Sequence, residues 1–130
     1  MQKHQENAMA LAQFLNTQSR IKKTNYLGLE SHKSHAIAKK QMLGFGGMLS
    51  FEIDGNFDDA IQFMKKIKYC TITATLGTAD TLITHPASTS HSNMPIEQRI
   101  AAGITDGLIR VSVGLEHIND VKIDIENALK

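Results

Sequence analysis

Apolar and polar residues alternate between Met48 and Ile53, which predicts a β-strand with one buried face. Leu49, Phe51 and Ile53 lie on the apolar face of this strand, and the intervening residues lie on the other. Three more segments are rich in β-branched residues or show the same alternation, so they are also predicted to be strands. They span residues 20–26, 71–75 and 108–114.

Apolar residues recur at helical spacing in three other segments, which predicts amphipathic helices. These segments cover residues 5–16, 57–67 and 118–129. Asn56 is a suitable N-cap for the second helix, which begins with acidic residues and ends with lysines, as the helix dipole favours. Two shorter helices are predicted, one from the capping residue Ser34 to Met42 and one after Pro95.

Helices and strands alternate along the whole chain. Such alternation is typical of parallel α/β sheets, but those need long crossover helices between strands. The helices predicted after Ser34 and Pro95 are too short for that role. We therefore predict an α+β fold: a two-layer sandwich with about four strands in a mixed or antiparallel sheet and helices packed on one side. The chain has 130 residues, so residues 1–130 are predicted to form a single domain.

The balance of charges argues against a polyanionic partner. Fourteen basic and thirteen acidic residues leave a formal net charge of +1, so neither nucleic acid nor an anionic membrane is predicted to bind. Cys70 is the only cysteine, which excludes an internal disulfide and fits a reducing, cytoplasmic compartment. No segment approaches the roughly 20 apolar residues of a membrane span, and the first residues are polar rather than signal-like.

Arg110 lies in the middle of the strand predicted at 108–114, on the face that it shares with Leu108 and Ser112. Its guanidinium is permanently charged and can donate two parallel hydrogen bonds to a carboxylate. From the residues alone, two roles are open. One is a structural salt bridge, which is the commoner case, and the other is the binding of an amino-acid carboxylate.

Three other patterns could suggest a functional site, but each lacks residues that such a site requires. The polar segment 85–93 contains serines and histidines, but it shows no strained elbow or orienting acid for a serine nucleophile. His32 and His35 lack the spacing and the carboxylate or thiolate neighbours of a metal site, so no metal is predicted. The LGFGG segment at 43–47 lacks the Lys and Ser/Thr of a phosphate loop and precedes a strand.

Three segments of the chain resemble the C-terminal region of the Cys/Met (transsulfuration) family of pyridoxal-phosphate enzymes, which includes cystathionine γ-lyases, cystathionine γ-synthases and methionine γ-lyases. They are GFGGMLSFE at 44–52, THPASTSHS at 84–92 and AAGITDGLIRVSVGLE at 101–116, and they occur in the family's order and spacing. Weaker similarities, among them YLGLESHKSH from Tyr26 and TATLGTADTLI from Thr73, extend the resemblance over nearly the whole chain.

The resemblance implies that four residues bind or surround the substrate carboxylate. Arg110 in LIRVSVG corresponds to the family's carboxylate-binding arginine, which favours a ligand over a salt bridge. Thr75 in TLGT stands in place of a serine that contacts the carboxylate partly through backbone groups. Ala74 occupies a position that is often glutamate in cystathionine enzymes and small or apolar in methionine γ-lyase-like ones. Ser90 in HPASTSHS stands in place of a supporting threonine, and Thr89 replaces a methionine.

The resemblance also implies what this chain lacks. The family's Schiff-base lysine and the residues that hold the cofactor phosphate lie upstream of the matching region, and no residue here corresponds to them. Residues 1–130 are therefore expected to contain no catalytic and no cofactor-binding residue, and the chain alone is expected to be inactive. A larger domain that binds pyridoxal phosphate is expected to precede it.

For the whole enzyme, the resemblance implies β- or γ-elimination, or γ-replacement, on a sulfur amino acid or an activated homoserine. It also implies a homotetramer. The residues leave open the choice between lyase, synthase and sulfhydrylase. An alternative is a free-standing, non-catalytic module derived from the same fold, which serves in oligomerisation or carboxylate binding. Calorimetry with methionine, cysteine, homocysteine and cystathionine separates the two, because an isolated half-site is expected to bind none of them tightly.

Overall fold

The computed structural model describes residues 1–130, which form one five-stranded sheet with helices packed against it. The strands are β1 Ile21–Asn25, β2 Met48–Ile53, β3 Thr71–Ile72, β4 Leu82–Thr84 and β5 Leu108–Ser112. The α-helices are α1 Gln2–Leu15, α2 His35–Gln41, α3 Phe57–Lys66, α4 Ile96–Ala101 and α5 Ile118–Leu129. A single 3-10 turn, Pro86–Ser88, follows β4.

The sheet is mixed, with the strand order β1-β2-β5-β4-β3. The pairs β1–β2, β2–β5 and β4–β5 are antiparallel, whereas β3 and β4 are parallel. The predicted α+β sandwich with a mixed sheet is confirmed, but the sheet has five strands instead of about four. The additional strand is β4, which the sequence pattern does not reveal because all 3 of its residues are buried and show no alternation.

The strand predicted at 71–75 is too long, because β3 ends at Ile72. Thr73 still donates its N–H to the Ile83 carbonyl at 3.1 Å. Beyond it, the next two carbonyls turn away from the sheet ladder toward an arginine side chain, and Gly77 adopts a φ of 84°. The strand predicted at 108–114 likewise ends early, at Ser112.

Helices α1, α3 and α5 cover one face of the sheet. The alternation in β2 places Leu49, Phe51 and Ile53 in the buried core, and Ile109 and Val111 of β5 lie beside them. Apolar side chains from all three helices complete this core. Its burial supplies the main stabilising free energy of the fold. For these three helices, the prediction that the helices pack on one side is confirmed.

Asn56 caps α3 as predicted. Its side chain accepts a hydrogen bond from the Asp59 N–H at 3.1 Å, and the Asp59 carboxylate accepts one from the Asn56 N–H at 2.8 Å. This reciprocal pair satisfies two backbone donors that the helix itself leaves without acceptors. The start of α3 is thereby fixed by local sequence.

A buried carboxylate joins α5 to the connection between α3 and β3. Asp124, which is 7% exposed, accepts the backbone N–H groups of Lys68, Tyr69 and Cys70 at 2.9, 3.0 and 2.9 Å. Burial, followed by the nearby charge of Asp124, raises the pKa of the Cys70 thiol. A single side chain thus fixes the backbone of this connection.

The two outer strands of the sheet are irregular or short. In β1, the register to β2 shifts between Ile21 and Lys23. Lys22 and Lys23 are both exposed, and Lys22 Nζ lies 3.7 Å from Glu52 Oε1. At the opposite edge, β3 has only 2 residues. Neither edge offers a long, flat row of unpaired backbone groups.

None of the helices combines the length and the apolar character that crossing a membrane requires.

Candidate functional site

A row of polar residues crosses the face of the sheet opposite the helices. Arg110 of β5 lies directly opposite Ser50 of β2 and Thr84 of β4. Ser50 also pairs with Asn25 of β1, whose side-chain amide donates to the Ser50 hydroxyl at 3.3 Å. Directly opposed residues of antiparallel strands project to the same face. The four side chains therefore form one polar row with Arg110 at its centre.

The guanidinium of Arg110 contacts backbone carbonyls and no carboxylate. Its Nη2 donates to the carbonyl oxygen of Ala74 at 2.6 Å and to that of Thr75 at 3.1 Å. The salt bridges of the chain are Lys22–Glu52 and Arg99–Asp106, so within these residues Arg110 has no structural salt bridge. A guanidinium has five N–H donors. Those on Nη1 and Nε make no hydrogen bond within the chain and are available to a carboxylate ligand.

Residues 73–80, hereafter the 73–80 loop, connect β3 to β4 next to Arg110. Residues 74–80 are all exposed, so apolar burial does little to hold them. The loop is instead held by hydrogen bonds to β5 and the segment after it. Besides the contacts of Arg110, the Gly77 N–H donates to the Ser112 hydroxyl at 2.9 Å, and the Leu115 N–H donates to the Ala79 carbonyl at 2.7 Å.

Of the four predicted site residues, the structure brings three together. Ala74 and Thr75 meet Arg110 through their backbone carbonyls rather than through their side chains. Ser90 does not contact them: it is exposed, and its hydroxyl lies 2.8 Å from Nδ1 of His91. The role of Ser90 in the site stays a prediction.

Thr89 lies near the site, although neither the sequence pattern nor the resemblance gives it a role. Its hydroxyl donates to the His85 carbonyl at 2.8 Å and lies 3.1 Å from the hydroxyl of Thr84, which is paired with Arg110. It therefore fixes Thr84 beside the arginine. The only signal in the sequence was that a threonine stands where the family has methionine.

His85 holds the chain between β4 and the 3-10 turn in place. The residue is 1% exposed, and its Nε2 donates to the Asp106 carbonyl at 2.7 Å. Because a carbonyl only accepts, the proton of the neutral imidazole lies on Nε2, and Nδ1 lies 2.9 Å from the Ser88 hydroxyl. No carboxylate orients the imidazole, and no residue other than glycine has a positive φ. A serine-nucleophile site therefore lacks both its orienting acid and its strained elbow.

The environment of His85 predicts a pH dependence of stability. Burial is the largest cause that lowers its pKa, and the nearby charge of Arg99 adds to it. Between about pH 6.5 and the lowered pKa of the folded state, the unfolded chain binds a proton at this histidine that the folded chain does not, so stability falls as the pH falls. One such proton contributes a slope of at most about 1.4 kcal/mol per pH unit.

Urea unfolding between pH 7.5 and 5 measures this slope in the wild-type chain and in His85→Gln. The variant is expected to have the shallower dependence, because other groups contribute equally to both proteins. Equal slopes would show that His85 titrates alike in the folded and unfolded states.

The residues of this chain do not fit pyridoxal phosphate, the cofactor that the resemblance implies. Its aldehyde is bound by a lysine, whose amine is made reactive by desolvation. Every lysine of the chain is exposed except Lys122, which is half-buried and lies on the helical side with Nζ 5.8 Å from the Phe14 ring centroid. Within these residues, no lysine therefore has the required surroundings. No group of His, Cys, Asp and Glu residues is arranged to hold a metal ion either.

The sequence model of the Cys/Met metabolism PLP-dependent enzyme family matches residues 1–130. An L-methionine gamma-lyase of Fusobacterium nucleatum subsp. polymorphum is 47% identical over 130 residues, which are 100% of this chain and 33% of that protein. An O-succinylhomoserine sulfhydrylase of Pseudomonas aeruginosa is 44% identical over 129 residues, which are 99% of this chain and 32% of that protein.

A solved structure has the same fold. The crystal structure of cystathionine gamma synthase from Xanthomonas oryzae pv. oryzae, in complex with aminoacrylate and cysteine, matches with a TM-score of 0.92 and 41% identity, over 99% of this chain and 33% of that one. The chain spans about a third of the length of the relatives that it matches. From the match over all of its residues, the chain belongs to the Cys/Met metabolism family of pyridoxal-phosphate-dependent enzymes.

Proposed function

We propose that this chain is the substrate-carboxylate-binding domain of a pyridoxal-phosphate-dependent enzyme of sulfur amino-acid metabolism. The observation that carries this proposal is the state of Arg110. Its guanidinium lies in the polar row on the face that the helices leave uncovered, has no acidic partner, and keeps donors free on Nη1 and Nε. A permanent charge with free, forked donors matches a carboxylate ligand.

In this proposal, Arg110 binds the α-carboxylate and the 73–80 loop shapes the site around it. The Ala74 and Thr75 carbonyls hold Nη2, so the guanidinium keeps one orientation before the ligand arrives. A fixed carboxylate aligns the Cα–H bond of the substrate for proton removal, which lowers the entropic cost of reaction. Ser90 supports the site once the rest of the protein is in place.

The cofactor belongs to the part of the protein outside these residues in this proposal. Pyridoxal phosphate supplies the electron-withdrawing ring that elimination and replacement at an amino acid require. The substrate is proposed to be a sulfur amino acid or an activated homoserine, and the protein a homotetramer in the cytoplasm. Relatives that act on methionine and on O-succinylhomoserine, by their names, support this substrate class. The small Ala74 favours a methionine γ-lyase-like enzyme over one for cystathionine.

The proposal is tested with the full-length protein and substrates that differ only at the carboxylate. After screening of methionine, cysteine, homocysteine, cystathionine and O-succinylhomoserine, the best substrate is compared with its carboxamide. The amide is neutral and has only one acceptor, so its kcat/KM is expected to be lower by about 10²-fold or more. Equal kcat/KM values for acid and amide would exclude a carboxylate-binding role for this face of the sheet.

A further inference from the structure

We propose that Glu116 is the positioning residue of the carboxylate site, which it serves by anchoring the end of the 73–80 loop without touching the ligand. This inference rests on the proposed function of Arg110. It assigns to Glu116 a role that neither the sequence pattern nor the resemblance implies.

Both carboxylate oxygens of Glu116 accept a hydrogen bond from one residue at the end of the loop, Thr81. The carboxylate accepts a short hydrogen bond from the Thr81 N–H on Oε1 and one from the Thr81 hydroxyl at 2.8 Å on Oε2. Thr81 is 0% exposed, and its hydroxyl also accepts from the Gly114 N–H at 2.9 Å. Hydrogen bonds to a charged acceptor are about twice as strong as neutral ones. Thr81 is therefore held firmly at the end of the loop.

The loop depends on this anchor because its remaining contacts are few. Its residues 74–80 are exposed, and they reach β5 and the segment after it only through Arg110, Ser112 and Leu115. The Thr81 carbonyl also accepts the Thr71 N–H at 2.9 Å, so the end of the loop is tied to the strand that precedes the loop. If Thr81 shifts, the Ala74 and Thr75 carbonyls move relative to Arg110 and no longer orient the guanidinium.

Glu116 is itself fixed from the helical layer. Asn7 of α1, which is 2% exposed, donates from its side chain to the carbonyls of Gly114 and Glu116 at 3.0 and 2.9 Å. His4 Nδ1 lies 2.6 Å from the Val113 carbonyl. The backbone around Glu116 is thus held rigidly against α1. Because its backbone is held in this way, the Glu116 carboxylate can hold the loop in one position.

Gly114 shows how closely the loop is packed against this anchor. A Cβ atom at this position would overlap the carbonyl oxygen of Ala79, the Glu116 carboxylate and the carbonyl carbon of Asp80. A side chain there would push the loop away from β5. Because Gly114 has no side chain, the loop can approach the segment after β5 closely. The hydrogen bonds of Glu116 then hold the loop at this distance.

The test uses Glu116→Gln in the full-length protein, with Glu97→Gln as the matched control. A glutamine is neutral and has one acceptor oxygen where the carboxylate has two, so the hydrogen bonds to Thr81 lose their charged acceptor. Glu97 is exposed and makes no side-chain hydrogen bond. Glu116→Gln is expected to raise KM about tenfold, corresponding to the loss of one charged hydrogen bond, with a smaller change in kcat. It is also expected to reduce the discrimination between the acid substrate and its amide.

Hydrogen exchange followed by mass spectrometry supplies the structural readout. Peptides that cover residues 71–81 are expected to exchange faster in Glu116→Gln, whereas those of α3 are expected to exchange as in wild type. Should Glu116→Gln fail to fold, Thr81→Val takes its place, because it removes the hydroxyl and keeps the backbone N–H. The same local increase in exchange is then expected.

Two failures are distinguishable. If Arg110→Ala raises KM while Glu116→Gln leaves KM, the acid/amide ratio and the exchange of 71–81 unchanged, the positioning role is overturned and the carboxylate site stands. If Arg110→Ala leaves KM unchanged, the carboxylate site itself is wrong, and the role of Glu116 is overturned with it.

Discussion

Replacing Arg110 by alanine in the full-length protein is expected to lower kcat/KM for the amino-acid substrate by about 10²-fold or more, mainly through a higher KM. The substitution removes the charge and the free donors of a guanidinium that has no carboxylate partner within the chain. Because these donors are proposed to bind the ligand in both the ground state and the transition state, their loss weakens both. Steady-state kinetics over a wide substrate range measures the effect.

Two companion variants make this result specific. Arg110→Lys retains the charge but not the forked geometry, so an intermediate loss is expected. Arg20→Ala removes an exposed arginine that has no side-chain hydrogen bond or salt bridge in the chain, and wild-type kinetics are expected. With Arg110→Ala, the acid and the amide substrates are also expected to become similar in kcat/KM. Wild-type kinetics for Arg110→Ala would contradict the assignment.

The second large effect is on stability: Asp124→Ala is expected to lower the free energy of unfolding by about 3 kcal/mol or more. Three backbone N–H groups, those of Lys68, Tyr69 and Cys70, lose a charged acceptor at once. Alanine offers no replacement, and the Cys70 amide is buried where water does not reach it. Thermal unfolding of the purified chain is expected to show a Tm lower by roughly 10 °C.

Glu126→Ala on the same helix is the control, because Glu126 is exposed and makes no side-chain hydrogen bond. Its effect is expected to be within about 0.5 kcal/mol. Asp124→Asn keeps one acceptor and is expected to fall between the two. A Tm for Asp124→Ala equal to that of Glu126→Ala would mean that the three amides find other acceptors.

The sequence predicts the strands in which buried and exposed residues alternate, and it misses the strand in which they do not. β2 has the predicted bounds, Met48–Ile53, because three apolar side chains enter the core while their neighbours do not. β4 escapes prediction since Leu82, Ile83 and Thr84 are all buried, so a period of two is not visible. The end of β3 cannot be predicted from residue types either, because the chain leaves the sheet through backbone contacts that are compatible with any side chain.

The same distinction applies to the site. Arg110 is found from its charge in the middle of a strand and from the resemblance. Its contacts with Ala74 and Thr75 use backbone carbonyls, which leave no trace in residue identity. Glu116 lies within a segment that carries the resemblance, yet nothing in its spacing indicates that it meets Thr81, 35 positions earlier. Such long-range pairs are set by the fold and follow only from the structure.

The irregular outer strands have a consequence for how this chain behaves in a crowded solution. A sheet grows by adding a strand from another molecule wherever its rim is straight and unprotected. Here one rim is broken by the register shift in β1 and carries the exposed Lys22 and Lys23, and the other is only the 2 residues of β3. A strand added beside β1 would have to bury the charges of Lys22 and Lys23, and one added beside β3 could pair with only 2 residues. The fold thereby resists aggregation through its sheet, even while β2 and β5 inside it are built from residues that favour pairing.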